Sequence, residues 1–316
     1  MAARPDARIW AALVVVYVVW GSTFIGLAIA VRDLPPLLAI ALRHLAAGAI
    51  LLAFALPRGD REQDPIGWGQ IRAGVVLGFL FFVLAHGSLA WAQQTVPAGV
   101  AALLAGSIPI WMALLDRVAF GRRLRGYAYA GFALGFVGLA FLIDPFGQGS
   151  VDRLGAIAIV LGAAAWAAGS LYSRDARLPR RPLVSAGLAS LCGGILLVVG
   201  SVVTGELGDA RFTSEALLAV AYLVVVGSLV GLTAYVWLLQ VAPTSLVATY
   251  AYVNPIVAVF LGWALLGEEI TPQMAVAGAA VVVSVAMILR ASGAELEPGW
   301  GLLRRSPRAS AAEPTA

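Results

Sequence analysis

Lysine is absent from this 316-residue chain, whose 21 basic residues are all arginine. Without lysine there is no Schiff-base nucleophile and no Walker-type phosphate loop. A single cysteine, Cys192, excludes a disulfide framework and a cysteine-based metal cluster. Metal donors are few in general: there are two histidines, His44 and His86, and the 17 acidic residues map to loops, tails or span ends, Asp116 lying nearest to a span interior. Neither a metal nor a cofactor is expected. Charged residues make up only 12% of the chain against 61% hydrophobic, where a soluble domain carries roughly 25% charged residues. That balance excludes a soluble fold. Period-two alternation is missing as well, which excludes a membrane barrel. Neither a Gly-x-Ser-Gly pattern nor paired membrane aspartates occurs, so an intramembrane hydrolase would lack its nucleophile. Repeated filter loops of the channel type are not visible.

What the chain has is apolar runs of spanning length. They fall at about 9–31, 34–56, 73–92, 96–115, 126–143, 154–172, 182–204, 216–239, 243–266 and 272–289. Each is read as a helix, because an exposed backbone inside lipid is satisfied only in helices or closed barrels. The first run is too long for a signal peptide. The Arg, Pro, Ser, Ala and Glu mixture of 291–316 has no periodicity and is expected to be a disordered cytoplasmic tail. Arginine placement sets the orientation. With the N-terminus inside, 17 arginines fall on inner segments and only Arg32, Arg153 and Arg211 on outer loops, with Arg43 left inside a span. Both termini are therefore expected in the cytoplasm.

The chain also repeats itself. At an ungapped offset of 146, Trp20 meets Trp166, Gly48 meets Gly194, Trp91 meets Trp237, and Gln94 meets Gln240. Pro97, Pro109 and Gly121 meet Pro243, Pro255 and Gly267. The first repeat occupies 9–143 and the second 154–290, each with five spans. An odd number forces the second copy to cross the membrane upside down, which is the inverted repeat of secondary transporters. Gly121-Arg122-Arg123 faces Gly267-Glu268-Glu269 across the repeat, as expected if one loop is inside and the other outside.

The segment Trp20-Gly21-Ser22-Thr23-Phe24, the Pro35-Pro36 start of a second span with Arg43, the Pro97 and Pro243 hairpins, and Tyr250-Ala251-Tyr252-Val253-Asn254-Pro255 resemble the ten-helix EamA branch of the drug/metabolite transporter superfamily. The YedA-like inner-membrane group within it is the most similar. The resemblance runs from about residue 9 to 290. It implies an all-α integral membrane protein, two inverted five-helix repeats around a central cavity, with the fifth and tenth helices as scaffold. It also implies movement of small metabolites, often export of amino acids. Two features depart from the family pattern: the first repeat ends in Gly-Arg-Arg, and His44 adjoins the family's arginine.

Candidate cavity residues follow from polar groups at membrane depth, each with a packing alternative. Thr249, Tyr250, Tyr252 and Asn254 precede Pro255, which frees a backbone carbonyl that Asn254 could satisfy. Ser107 precedes the matching Pro109, and both prolines are candidate hinges or kinks. Trp20 with Ser22, and Trp166 with Ser170, mark equivalent faces of spans one and six, as helix contacts or cavity wall. Arg43 costs roughly 2.5 to 3.5 kcal/mol at mid-span and should face the interior, held structurally or attracting an anionic substrate group. His86 is the better proton candidate of the two histidines; otherwise both are structural. The kink at Pro255 is richer in polar groups than that at Pro109, so specificity is expected to reside more in the second half. Together these residues point to a non-enzymatic secondary transporter of small neutral, zwitterionic or amphipathic metabolites, in the exporting direction. A membrane enzyme or a non-transporting subunit is the alternative. The expected partners are the bilayer and a small-molecule substrate, not nucleic acid, and the expected state is a monomer.

Overall fold

The computed structural model describes residues 7–58, 66–120, 126–143, 151–242, 244–247 and 249–291. The expected tail beyond Ala291, the Gly121-Arg122-Arg123 segment and Pro243 lie outside them. Among the described residues there is no strand, and apolar helices succeed one another along the chain. We number the spans α1 (Ala7–Ala30), α2 (Pro36–Arg58), α3 (Trp68–Ala92), α4 (Ala98–Ala119) and α5 (Gly126–Ile143) in the first copy. The second copy contributes α6 (Arg153–Asp175), α7 (Pro182–Val203), α8 (Ser214–Leu239), α9 (Tyr250–Leu266) and α10 (Pro272–Ile288). These are the ten expected spans. The largest shift in a boundary is at α9, which begins at Tyr250 where the run begins at 243; α3 begins earlier than expected, at Trp68, because the chain from there through Arg72 is already helical, its start capped by Gln70 on the Gly67 N–H.

The two copies pack as a duplicated, inverted pair. In the α2–α7 crossing, a side chain on Gly48 would strike the Leu191 nitrogen at 2.6 Å, and one on Gly194 would strike the Leu45 nitrogen at 2.8 Å. Gly48 and Gly194 are repeat partners, and so are Leu45 and Leu191. Each contact is thus the image of the other. In the α5–α10 crossing, Gly131 lies against the Ser284 carbonyl and Gly138 against the Ala277 carbonyl, again an exchanged pair. Both crossings run antiparallel. Tyr127 and Gln273, at opposite ends of α5–α10, donate to the Arg290 and Phe141 carbonyls at 3.0 and 2.6 Å. Glu206, just past α7, reaches the N–H groups of Leu37 and Leu38 at the start of α2. Close approach at small residues is how helices gain dispersion contact where lipid supplies no hydrophobic drive.

The remaining packing obeys the same exchange: α1 lies on α9 as α6 lies on α4, and α3 lies on α6 as α8 lies on α1. All even-numbered helices begin on the face opposite the start of α1. Their first N–H groups, which have no partner inside the helix, are met there one by one: α2 by Glu206, α4 by Glu268, α6 by Asp152, α8 by Thr213 and α10 by Thr271. Glu268 reaches α4 because Gly267 ends α9 at φ 69°, a left-handed turn suited to glycine that folds the chain back. Asp152 also accepts from the Thr95 hydroxyl at 2.8 Å. That bond, with those from the Gly155 and Leu154 N–H groups, holds its carboxyl below the usual carboxylate range.

Two spans are unwound in corresponding places. Gly78–His86 in α3 and Leu223–Val230 in α8 are π-helical, a form common at functional sites because its wider turn re-aims side chains. In α4 the helix stops at Ala105 and restarts at Ile108, placing Pro109 in the first turn, where a missing N–H costs nothing. The second copy differs: α9 runs through Pro255, and its interruption lies upstream, between the short helix Thr244–Val247 and Tyr250.

Candidate functional site: a cavity between the repeats

Between the two copies lies a cavity of about 350 Å³, within the range of small-molecule sites. No residue of α5 or α10 lines it. Of the eleven residues expected on its wall, the structure brings seven together there: Trp20, Arg43, His86, Trp166, Ser170, Tyr250 and Asn254. Pro109 and Pro255 also lie on the wall. The other four point elsewhere. Ser22 bonds the Val19 carbonyl and the Tyr222 hydroxyl at 2.8 and 2.6 Å. Ser107 is fully buried and returns its hydroxyl to the Leu104 carbonyl. Thr249 pairs with the Tyr17 hydroxyl. Tyr252 packs among residues shared with α10, its hydroxyl 3.5 Å from the Val285 carbonyl.

One part of the wall is cationic and imidazole-bearing. Arg43 is 7% exposed and donates through Nε to the Ser228 hydroxyl at 3.1 Å. Its ion partner is missing: among the described residues no carboxylate forms a salt bridge with it. Gly227 leaves room for the guanidinium, since a Cβ there would lie 3.4 Å from Nη2. Beside it His44 Nε2 and His86 Nδ1 are 2.9 Å apart, one ring donating and the other accepting. His44 stacks on Phe82 with centroids 3.9 Å apart, and His86 lies 5.3 Å from the Trp166 ring.

The other part is aromatic. Trp20, Tyr235 and Tyr250 form a closed cluster with centroid separations of 5.0, 5.0 and 5.7 Å. Asn254 stands nearby on the wall, 9% exposed, with its Oδ1 buried and unpartnered. Gly21 lets α1 come within 3.1 Å of the Asn254 carbonyl, measured to an added Cβ.

His44, Ser228 and Tyr235 belong to this site although sequence reasoning left them out of it. For His44 the signal was present as a polar residue next to Arg43. For Ser228 and Tyr235 the signal was their place on the unwound segment of α8 and the turn after it, which periodicity does not reveal. Both copies furnish polar groups, so the expected dominance of the second half does not appear: among the described residues the buried arginine and both imidazoles belong to the first.

Comparison with known proteins fits this architecture. Residues 8–144 and 153–290 each match the model of the EamA-like transporter family. The chain is 34% identical over 281 residues to the uncharacterized inner membrane transporter YedA of Escherichia coli K12, covering 89% of this chain and 90% of that protein. It is 26% identical to a probable amino-acid metabolite efflux pump of the same strain, over 81% of this chain and 86% of that one. A crystal structure of a protein 24% identical superposes on 92% of this chain and 100% of its own, with a TM-score of 0.60, and so has the same fold.

Proposed function

The chain belongs to the EamA-like transporter family, a multi-pass inner-membrane transporter, and on that premise we propose that its cavity exports a small zwitterionic or amphipathic metabolite of the amino-acid kind. The observation that carries this reading is a buried guanidinium with no carboxylate partner among the described residues, set close to an aromatic cluster. Gly227 lies under Arg43 and Gly231 under the Trp20 indole. The two groups are thus about one helical turn apart along α8, on the order of 6 Å. That spacing suits the carboxylate and ammonium of an α-amino acid. The carboxylate would satisfy Arg43 as the charged partner that the protein does not supply. The ammonium would meet the unpartnered Asn254 Oδ1 and the ring faces of Trp20, Tyr235 and Tyr250.

Support for the exporting direction comes from the relative named as a probable efflux pump. In the orientation we favour, both termini face the cytoplasm: 17 arginines then lie inside, and Glu206, Glu268 and Asp152 at the starts of α2, α4 and α6 lie outside. Fusing a periplasm-active reporter at Gly147 should give signal and at Pro179 none; the reverse pattern contradicts this orientation. The functional reading is tested by efflux of cellular metabolites from cells with and without the protein. Zwitterions should leave faster when it is present; equal efflux across all metabolites would favour a membrane enzyme or a non-transporting subunit.

A further inference from the structure

We propose that His44 and His86 form a single buried proton site that loads together with the carboxylate of the substrate, so that each molecule leaving down its own gradient carries a proton with it and flux responds to the pH on the loading side. The coupling half of this inference rests on the transport reading above; the proton site stands on geometry alone. The two rings come from different helices, α2 and α3, and meet at 2.9 Å between His44 Nε2 and His86 Nδ1. One hydrogen occupies that bridge. A neutral pair carries one more, so one of its two outer nitrogens, His44 Nδ1 or His86 Nε2, is bare.

His44 Nδ1 is buried and has no partner. A buried N–H without an acceptor is the rarer and costlier arrangement than a bare lone pair, so in the neutral pair His44 donates across the bridge and its Nδ1 is the empty position. A proton entering from the cavity is accepted by the one free lone pair, His44 Nδ1, and leaves both outer nitrogens protonated and one positive charge spread over two rings through the bridge. No bond other than N–H is made or broken.

Phe82 covers His44 at 3.9 Å and Trp166 lies over His86 at 5.3 Å, so an imidazolium would face an aromatic ring on each side. Sharing the cavity wall with the pair are Arg43 on α2, Phe82 on α3, Trp166 on α6, Ser190 on α7 and Ser228 on α8, the last bonded to Arg43. Cys192, the other titratable group on α7, lies by Gly74 instead. Arg43 is the one charge among them, and it is positive. Two positive charges in one buried site repel, and the substrate carboxylate is the anion that relieves the repulsion. Proton and carboxylate therefore bind cooperatively, each raising the other's affinity by the same factor.

Site-resolved nitrogen NMR of the histidine side chains, on the full chain in nanodiscs, tests the proton site without any substrate. Across a pH titration the two rings should change together in one transition, and His86→Gln or His44→Gln should each remove the whole transition. Two independent transitions, or none, overturn the proposal. The coupling is read in proteoliposomes from flux of L-phenylalanine and of phenylalaninamide, which lacks the carboxylate. Acid on the loading side should speed L-phenylalanine flux about fivefold or more, leave the amide unchanged, and lose its effect in the His86→Gln variant. If flux occurs without a pH response, or keeps that response in His86→Gln, transport stands and the coupling fails. If neither probe moves although the NMR transition is present, the choice of amino-acid substrate fails and the proton site stands.

Discussion

The scaffold and the cavity treat the duplication in opposite ways. Where α2 crosses α7 and α5 crosses α10, contacts occur in exchanged pairs, Gly48 on Leu191 with Gly194 on Leu45, and Gly131 on Ser284 with Gly138 on Ala277. In the cavity the exchange breaks down. The repeat partners of Arg43, His44 and His86 are Ala189, Ser190 and Leu232, while those of Tyr235, Tyr250 and Asn254 are Leu89, Leu104 and Ile108. Repeat-related positions do meet on the wall, but most carry different residues there; Trp20 and Trp166, Ala105 and Ala251, and Pro109 and Pro255 are alike, and even the tryptophans face different neighbours: two tyrosines for one, Phe81 and His86 for the other. The difference separates two tasks. Antiparallel halves that rock against each other need equivalent bearings, and close glycine contacts are easily kept in both copies. A zwitterion has two unlike ends, so a cavity that binds it gains nothing from symmetry.

The sharpest way to break the comparison is at the bearings. Gly48→Val and Gly194→Val each drive a side chain into a backbone nitrogen of the facing helix, and overpacking of this kind costs about 1–3 kcal/mol or more. Both should abolish a monodisperse peak in size-exclusion chromatography, and to the same degree. If only one does so, the two contacts are not equivalent and the pseudo-symmetry of the scaffold is superficial.

Less drastic effects are expected on the wall. Asn254→Ala removes an acceptor that the protein itself leaves unpartnered, so it should lower zwitterion flux by about tenfold, roughly 1.4 kcal/mol, without affecting the fold. Tyr252→Phe, two residues away, should leave flux unchanged, because that hydroxyl faces α10. Equal losses in the two variants would mean that α9 presents a different face to the substrate.

How far the sequence anticipates this molecule follows from the same division. Bilayer thickness fixes the number and length of spans, so the ten helices could be read from apolar runs, and the odd span count of each repeat implies the inversion. The polar residues on the wall were visible because an arginine or an asparagine at that depth needs a partner, in the packing or in a cavity. Their partners were not. His44 and His86 are 42 positions apart, and they meet only because α3 is π-helical up to His86, which shifts the phase that ordinary helical spacing would assign. For the same reason Tyr250 and Tyr252 could not be told apart beforehand: the interruption ahead of Tyr250 sets which of them faces inward. Glu268 was legible as a charge on an outer loop, but its role as a cap on α4 depends on tertiary contact.

The smallest effect is expected at the capped ends. Since hydrogen bonds from Thr95, Gly155 and Leu154 lower the Asp152 carboxyl relative to the unfolded chain, its contribution is fully present above the unfolded carboxylate range and fades as pH falls through the folded one. Asp152→Asn should lower the thermal midpoint slightly at neutral pH and make no difference in strong acid. A midpoint gap that persists unchanged in acid would show that the charge of Asp152 is not what stabilises the start of α6.

The central claim, that an asymmetric wall on a symmetric scaffold carries a zwitterion, is tested most directly by counterflow. Proteoliposomes holding the wild type or Arg43→Ala would be exposed to a defined mixture of amino acids, their amides and neutral amphipathic compounds, and the exchanged species quantified by mass spectrometry. The account predicts that zwitterions exchange in the wild type, that their amides do not, and that Arg43→Ala lowers the zwitterion signal by about tenfold or more while the protein remains monodisperse. Exchange of amides as fast as of zwitterions, or zwitterion exchange that survives the loss of Arg43, would contradict it.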